Sequence, residues 1–375
     1  MRLVSILSVA FTLVACSGEE SAPIGSSPAQ DAGSMPGAPP PPAGDAGAPD
    51  AALPAPEPIV APDDQWSWVD FPASRCGGGT PTGIGVNPHA GATELVVYLQ
   101  GGGSCASGAS CWGPSPTAAN MAGFGATELA TTQQLGYPIL KRELAANPMR
   151  AMHMVFVPYC TGDLHGGHGE ADLAVGDGTT RHTYFWGGAD LDLFLERLVP
   201  TFPDLKRIVL AGTSAGGFGT YVGYDRFARA FSGVRIDAID DSGPPIPGAS
   251  GRTGTAPVWK MEMPADCPTC SGLRDLYDAA RRKQPASRYA HLTYDRDGTI
   301  ATAFGYTVAQ YPQVIDTFVS SIAADPNAKM MLVQLPAGAT SHVVQSAPRN
   351  AVDYLPWMTR MLADDPAWTS TTITQ

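Results

Sequence analysis

A serine flanked by small residues is the part of the chain best suited to covalent chemistry. Ser214 is the centre of a G-x-S-x-G pattern that runs from Gly212 to Gly216. A buried strand is predicted before it, over residues 207–211, and a helix after it, over residues 215–231. A tight turn between such elements lifts the serine hydroxyl out of the sheet and leaves the next backbone amide facing the reaction centre. The pattern therefore predicts that Ser214 is a nucleophile.

A serine nucleophile needs a general base and an acid, which follow it in the chain in the order serine, acid, histidine. Each should lie in a loop after a strand, since the carboxyl ends of parallel strands meet at one edge of a sheet. His342 follows the last long predicted strand and is the expected base. Asp295 directly follows another strand, so we expect it to orient His342. Asp297, in a D-G pair that turn chemistry also explains, and Asp241, after the preceding strand, are the alternatives.

Three consecutive glycines follow an early predicted strand. Residues 98–105 read Tyr-Leu-Gln-Gly-Gly-Gly-Ser-Cys. Glycines let backbone amides approach a tetrahedral intermediate without interference from Cβ atoms, so this segment is expected to contribute to an oxyanion hole. It resembles the HGGG-type loop of esterases, with Gln100 in place of histidine.

The elements that must position these residues alternate between strand and helix. Nearly continuous apolar strands separated by helices predict an α/β fold, with a mostly parallel sheet and helices on both faces. We expect one such domain over residues 65–375. The predicted strands are 94–100, 152–159, 207–211, 234–239, 290–294 and 330–335, and the predicted helices are 190–199, 215–231, 273–283, 308–322 and 350–362.

The N-terminal region predicts export. Arg2 precedes an apolar run over residues 3–15 that is too short to span a bilayer and is typical of a signal peptide. The end of this run resembles the lipobox of bacterial lipoproteins, which predicts that Cys16 is lipidated and anchors the protein to a membrane surface. Residues 17–64 are rich in Pro, Ala, Gly, Ser and Asp and are expected to be a disordered spacer.

The remaining cysteines predict disulfides. Six of the seven cysteines are left when Cys16 is set aside, and an even number in an exported chain suggests up to three bonds. We expect bonds that close two short loops, Cys105–Cys111 and Cys267–Cys270. The third expected bond, Cys76–Cys160, joins the two cysteines that are left. The C-x-x-C at Cys267 lacks a thioredoxin-like βαβ context, so a structural bond is favoured over a redox role.

Two further classes of partner are disfavoured. The net charge of −12 and the absence of a basic cluster argue against nucleic-acid binding. Residues 163–172 hold two histidines, two aspartates and a glutamate, but their glycines give flexibility where zinc needs a rigid frame. We expect this segment to be a substrate-cleft loop, and no metal or cofactor.

The chain resembles the pectinacetylesterases and the related animal deacylase Notum. The resemblance rests on ordered islands at residues 98–105, 158–163 (Pro-Tyr-Cys-Thr-Gly-Asp), 212–217, 241–243 (Asp-Ser-Gly), 294–295 and 341–342. It implies an α/β-hydrolase fold and metal-free deacylation of carboxylic esters, with Ser214 as nucleophile, His342 as base and Asp295 as acid. It also implies that the amides of Gly102, Gly103 and Ala215 bind the oxyanion. Gln100 and Ser104 depart from the family's acidic and aromatic residues, so the resemblance does not single out pectin as the substrate.

These observations predict an exported, lipid-anchored serine esterase at a bacterial cell surface or in the periplasm. Its expected substrate is an acylated carbohydrate or related ester, with acetyl as the favoured acyl group. The alternatives are a lipase or polyester depolymerase, and a surface lipoprotein that keeps the fold for binding without catalysis.

Overall fold

A nine-stranded sheet forms the centre of the protein in the computed structural model, which describes residues 56–176, 178–251 and 254–375. Within these residues the strands are β1 (Ser67–Phe71), β2 (Thr82–Asn87), β3 (Glu94–Leu99), β4 (His153–Val157), β5 (Gly169–Ala174), β6 (Thr180–Phe185), β7 (Arg207–Thr213), β8 (Arg235–Asp241), β9 (Tyr289–Tyr294), β10 (Ala328–Gln334) and β11 (Thr371–Thr374).

The sheet is mostly parallel, as the sequence predicts. Its strand order is β1-β2-β4-β3-β7-β8-β9-β10-β11, and β5 and β6 form a separate antiparallel hairpin. Every neighbouring pair from β4 to β11 is parallel, whereas β2 pairs antiparallel with both β1 and β4. The carboxyl ends of β3, β7, β8, β9 and β10 therefore lie along one edge, where an α/β fold collects its functional loops.

Helices cover both faces of the sheet. They are α1 (Gly108–Trp112), α2 (Ala126–Thr131), α3 (Gly187–Thr201), α4 (Ala215–Val222), α5 (Tyr224–Ala230), α6 (Leu273–Lys283), α7 (Gly298–Ala303), α8 (Tyr311–Ile322) and α9 (Ala351–Leu362). Successive side chains of β7 alternate between two hydrophobic cores, with Ile208 and Leu210 in one and Val209 and Ala211 in the other. Because both faces of the strand are buried, its sequence is a continuous apolar run.

The predicted helix over residues 215–231 is two helices. A break at Gly223 separates α4 from α5, and the amide of Arg226 donates to the carbonyl of Gly223 at 3.0 Å. Glycine has a low helix propensity, so a break costs little there. The sequence does not predict β1, β2, β5, β6 and β11. β2 contains two glycines, which have a low strand propensity, and β5 and β6 alternate polar and apolar residues outside the main sheet.

Ordered contacts begin earlier than residue 65. The buried side chain of Ile59 joins the core, and its amide donates to Thr201 Oγ1 at 2.7 Å. Asp64 forms an ion pair with Arg142 at 2.9 Å. Residues 56–64 thus contact the domain and are not spacer. The expected signal peptide, Cys16 and the rest of the expected spacer lie outside the described residues.

None of the described helices has both the length and the apolar character needed to cross a membrane.

All three expected disulfides are confirmed. They join Cys76 to Cys160, Cys105 to Cys111 and Cys267 to Cys270. The first connects the segment before β2 to the loop after β4, and the second closes the loop that follows the three glycines. Two of the bonds therefore brace the edge of the sheet where the candidate functional residues lie.

Candidate active site

Ser214 occupies a sharp turn between β7 and α4. Its backbone has φ 55° and ψ −120°, a conformation that serine adopts only under constraint. Its amide donates to the carbonyl of Asp241 on the neighbouring strand at 2.7 Å, which holds the turn in place. The side chain is largely buried, with 8% of the residue exposed. This is the strand–turn–helix geometry expected of a nucleophile elbow.

The glycines around Ser214 are required by close backbone approaches. A Cβ atom on Gly216 would lie 1.9 Å from the carbonyl oxygen of Leu99, the last residue of β3. A Cβ atom on Gly101 would lie 2.2 Å from the carbonyl oxygen of Thr213 and 3.1 Å from the Cβ atom of Ser214. The glycine loop therefore lies directly against the serine, as an oxyanion loop must.

The glycine loop leaves two amides free. Its shape is held by the amide of Ala119, which donates to the carbonyl of Gly102 at 2.8 Å, and by a bridge between Gly103 and Ala118. Within the described residues, the N–H groups of Gly102 and Gly103 donate to no protein acceptor. Ala215 is the first residue of α4, where helical N–H groups have no intrahelical partner. The arrangement can present all three amides to a bound anion.

His342 is hydrogen-bonded to Asp297. The distance between His342 Nδ1 and Asp297 Oδ2 is 2.7 Å, and the carboxylate is completely buried while 24% of the histidine side chain is exposed. The other oxygen of Asp297 accepts from the amides of Thr299 and Ile300, both at 3.0 Å, and so caps α7. A carboxylate on Nδ1 leaves Nε2 as the nitrogen able to accept a proton from a substrate-side group.

The expected contact between Asp295 and His342 is not made. Asp295 Oδ1 instead accepts from the amide of Leu335 at 2.9 Å, beyond the end of β10. The carboxylate thus joins two neighbouring strand ends, and Asp297 replaces Asp295 as the partner of His342. Position at the strand end does not determine the direction of the side chain here. Asp297, two residues later, is the N-cap of α7, and this position directs its carboxylate toward the histidine.

Asp241, the other alternative acid, contacts the chain beyond His342. Its carboxylate is completely buried and accepts from the amides of Val344 at 2.9 Å and Gln345 at 2.8 Å. The hydroxyl of Ser242 donates to Asp241 Oδ1 at 3.0 Å and accepts from the amide of Val343 at 3.1 Å. Asp241 therefore supports the loop after His342 through the backbone amides of that loop, a role that no local pattern in the sequence indicates.

The start of the segment 163–172 is buried, which corrects the expectation of a substrate-cleft loop there. Asp163 is completely buried and accepts from the amides of Gly167 at 3.1 Å and Gly187 at 2.7 Å. Burial lowers the pKa of His165 to about 4, and its Nε2 donates to the carbonyl of Gln100 at 2.9 Å. A neutral His165 thus supports the residue that precedes the glycine loop.

A second group of potential metal ligands surrounds an arginine. His168, Asp192 and Glu262 bring one ligand atom each within 4.8 Å of one another. The guanidinium of Arg226 lies among them, with Nη2 3.1 Å from His168 Nε2 and 3.2 Å from Glu262 Oε2. Since this cation already balances the carboxylates, the cluster is explained as an ion-pair network around a buried arginine.

A cavity of about 430 Å³ adjoins the glycine loop. Ser104 and Cys105, which follow the three glycines, form part of its wall, and Trp259 and Phe304 are its large side chains. Trp259 Nε1 donates to the carbonyl of Cys105 at 2.7 Å. Phe304 stacks on Phe218 of α4 with ring centroids 5.6 Å apart, which ties the cavity to the helix that follows Ser214. Ser214 and His342 are not among the residues that line this cavity.

The parallel sheet, the elbow at Ser214 and the strand-end histidine define the α/β-hydrolase fold. A crystal structure of the Wnt deacylase Notum from Drosophila shares this fold, with a TM-score of 0.57 at 16% sequence identity over 83% of this chain and 96% of that chain. The sequence model of the pectinacetylesterases, in turn, matches residues 69–251. Over residues 69–251 the chain is therefore similar to the pectinacetylesterases, and its fold is that of the α/β-hydrolases.

Curated relatives match part of the chain. The palmitoleoyl-protein carboxylesterase notum1' of Xenopus laevis is 26% identical over 191 residues, which is 45% of this chain and 34% of the relative. Human palmitoleoyl-protein carboxylesterase NOTUM is 26% identical over 176 residues, with the same two coverages of 45% and 34%. Pectin acetylesterase 4 of Arabidopsis thaliana is 28% identical over 139 residues, 36% of this chain and 32% of the relative. The chain thus spans about a third of the length of these relatives.

Proposed function

We propose that the protein is a carboxylic ester hydrolase that works through a serine acyl-enzyme. The observation that carries the proposal is the constrained backbone of Ser214, with φ 55° and ψ −120° at the end of a parallel strand. Strain of this kind persists where the surrounding structure enforces it, and it is typical of catalytic turns. The names of the curated relatives, carboxylesterases and a pectin acetylesterase, support the same reaction class.

The reaction follows from the groups around the elbow. His342 Nε2 takes the proton of Ser214 as the hydroxyl oxygen attacks the ester carbonyl, and Asp297 stabilises the imidazolium through Nδ1. The negative charge of the tetrahedral intermediate is bound by the amides of Gly102, Gly103 and Ala215. Collapse of the tetrahedral intermediate forms the acyl-enzyme and releases the alcohol, which takes the proton from His342. Water, deprotonated by His342, then hydrolyses the acyl-enzyme and regenerates Ser214.

The favoured substrate is a carbohydrate or related compound that carries small acyl groups, with acetyl first. The family resemblance supports this substrate class. A second candidate is a longer acyl or polyester chain, as in a lipase or depolymerase. The names of two curated relatives favour it, because a palmitoleoyl-protein carboxylesterase acts on a long acyl group.

We further propose that the protein is exported and held at a membrane surface by a lipid on Cys16. The signal-like run over residues 3–15 and its lipobox-like end support the anchor. The three disulfides support export, because such bonds persist in oxidising compartments. Mass analysis of the protein extracted from membranes tests the anchor: a diacylglyceryl adduct on Cys16 supports it, and an unmodified or absent Cys16 contradicts it.

The activity is tested with a short-chain aryl ester. The purified protein should hydrolyse it and react with a serine-directed phosphonate, and Ser214→Ala should lose both properties while it stays folded. An inert wild type that also resists the phosphonate would contradict the proposal and favour a binding protein with the same fold.

The substrate is tested with a series of aryl esters of increasing acyl length. A kcat/KM that is highest for acetyl, together with release of acetate from acetylated xylan or pectin, supports the favoured substrate. A maximum at long acyl chains supports the second candidate.

A further inference from the structure

Asp241 and Ser242 join the two halves of the candidate active site. Asp241 is the last residue of β8, between the strand that leads to Ser214 and the strand that leads to Asp297. Its carbonyl accepts from the amide of Ser214 at 2.7 Å. Its carboxylate accepts from the amides of Val344 and Gln345, which follow His342. One residue therefore holds both the nucleophile and the chain that carries the base.

The bonds from Asp241 and Ser242 hold a strained backbone. Val343 has φ 62° and ψ 100°, which is a strong outlier for a β-branched residue. Its amide donates to the hydroxyl of Ser242 at 3.1 Å, and the next two amides donate to Asp241. If the Ser242 hydroxyl or the Asp241 carboxylate were removed, the backbone at Val343 would relax and His342 would move with it.

We propose that Asp241, with the hydroxyl of Ser242, is a positioning residue that keeps His342 in register with Ser214. The inference rests on the proposed ester hydrolase function. Asp241 touches neither substrate nor the reacting atoms; it acts through the backbone on both sides of the site.

The charge of Asp241 connects this arrangement to pH. Burial raises the pKa of Asp241 to about 6, although the hydrogen bonds from Gln345, Val344 and Ser242 oppose the shift. The titratable groups that face it are His342 and the tyrosines Tyr98, Tyr137 and Tyr354. A protonated carboxyl group loses part of its capacity to accept from two amides, so the histidine loop should loosen as pH falls below about 6.

Two variants and one control test the inference. Asp241→Asn places an NH₂ group against one of the two backbone donors. Ser242→Gly removes the hydroxyl and suits the backbone, since Ser242 has φ 61° and glycine adopts this conformation without strain. Asp237→Asn is the matched control, because Asp237 is completely buried on the same strand and also accepts a backbone amide, that of Arg288, away from the site.

The readouts are kcat, KM and the acid limb of the pH profile on a short-chain aryl ester, with thermal unfolding to measure folding. Asp241→Asn should lower kcat by about 10²-fold and Ser242→Gly by about tenfold with KM nearly unchanged, because misplacement by about 1 Å carries costs of this size. On the acid limb, log kcat/KM of the wild type should fall more steeply with pH than that of Asp241→Asn, because only the wild type can protonate Asp241. Asp237→Asn should keep the wild-type kcat and profile.

The outcomes separate the inference from the function on which it rests. An active wild type with unchanged kcat and pH profile in Asp241→Asn and Ser242→Gly would overturn the inference alone. If Asp241→Asn does not fold, a wild-type kcat in Ser242→Gly would by itself overturn the inference. A wild type without esterase activity or phosphonate labelling would overturn the proposed function and the inference together.

Discussion

Asp297 has separate partners on its two carboxylate oxygens. Oδ1 caps the first turn of α7, and Oδ2 contacts His342 Nδ1 at 2.7 Å. The N-cap bonds fix the carboxylate, so the histidine ring is oriented by a group that is itself rigid. At the scale of single residues, this shared use explains how a D-G turn can also serve the candidate active site.

Replacement of Asp297 by Asn tests the role of its charge with little disturbance of the fold. Asn is also a good N-cap residue, so Asp297→Asn should still cap α7. The amide NH₂ would face His342 Nδ1 and favour the wrong tautomer. We expect kcat on a short-chain aryl ester to fall by about 10³- to 10⁴-fold, with a thermal midpoint close to that of the wild type.

The matched control is Asp295→Asn. Its side-chain oxygen can still accept from the amide of Leu335, and it does not contact His342. Its kcat should stay within a few-fold of the wild type. The reverse pattern, with Asp295→Asn inactive and Asp297→Asn active, would return the acid role to Asp295.

At the scale of elements, the active-site edge depends on the contact between the glycine loop after β3 and the turn after β7. In this contact, the backbone of Gly101 packs directly against the backbone carbonyl of Thr213. The approach brings the loop's amides close to Ser214, and it leaves no room for a Cβ atom.

Gly101→Ala should therefore separate the two segments. We expect a loss of about 2–3 kcal/mol in the free energy of unfolding, from overpacking against backbone atoms, and a large loss of kcat. Gly136→Ala is the control, since a Cβ atom on Gly136 meets nothing within 4 Å. Denaturant unfolding and aryl ester hydrolysis measure the two effects. Equal stability of the two variants would contradict the importance of the contact.

The disulfides should differ in their contribution to stability. Cys76 and Cys160 are 84 residues apart in sequence, whereas Cys267 and Cys270 are 3 apart. Chain entropy predicts that removal of the first bond, by a double Cys→Ala replacement, costs about 4–5 kcal/mol, and removal of the second about 2 kcal/mol. Thermal unfolding of the two double variants measures the difference, and a larger loss for the second pair would contradict the entropic argument.

At the scale of the whole molecule, buried carboxyl groups make stability depend on pH. Burial is the main cause of the raised pKa values of Asp163, Asp190, Asp240 and Asp241. A carboxyl group with a raised pKa binds more protons in the folded state than in the unfolded state. Its contribution to stability therefore declines as pH rises from its ordinary pKa through its folded pKa.

Asp241→Asn should remove one part of this dependence. With a folded pKa of about 6 against an ordinary value of 3.8, the variant should gain about 3 kcal/mol relative to the wild type between about pH 4 and pH 7. The altered hydrogen bonds of the variant also lower its free energy of unfolding, by an amount that does not depend on pH. Denaturant unfolding at a series of pH values measures it.

Asp364→Asn is the control, because the pKa of Asp364 is shifted in the opposite direction from that of Asp241. The hydrogen bond from Arg235 lowers the pKa of Asp364, so its contribution to stability is present above its ordinary pKa and is lost in acid. This variant should be less stable than the wild type at neutral pH and should approach it as pH falls. A parallel response of the two variants would contradict the assignment of the shifts.

The sequence by itself determined most of the sheet and the presence of disulfides, whereas the structure decided how the six cysteines pair. Strands β3, β4, β7 and β10 are mostly apolar runs, as expected of strands covered on both faces by helices, whereas β8 also carries the buried carboxylates Asp237, Asp240 and Asp241. The sequence also determined the elbow geometry at Ser214 and the place of His342 after the last long strand. These features depend on neighbouring residues and on the order of elements along the chain.

Only the tertiary structure decided which carboxylate meets the histidine. Asp295 and Asp297 are two residues apart, and their directions depend on the start of α7 and on the amide of Leu335 from the neighbouring strand end. The support that Asp241 gives to residues after His342 spans about a hundred residues of chain, so no local pattern reveals it. Side-chain direction is set by contacts between distant segments, and these exist only once the sheet has brought its strand ends together.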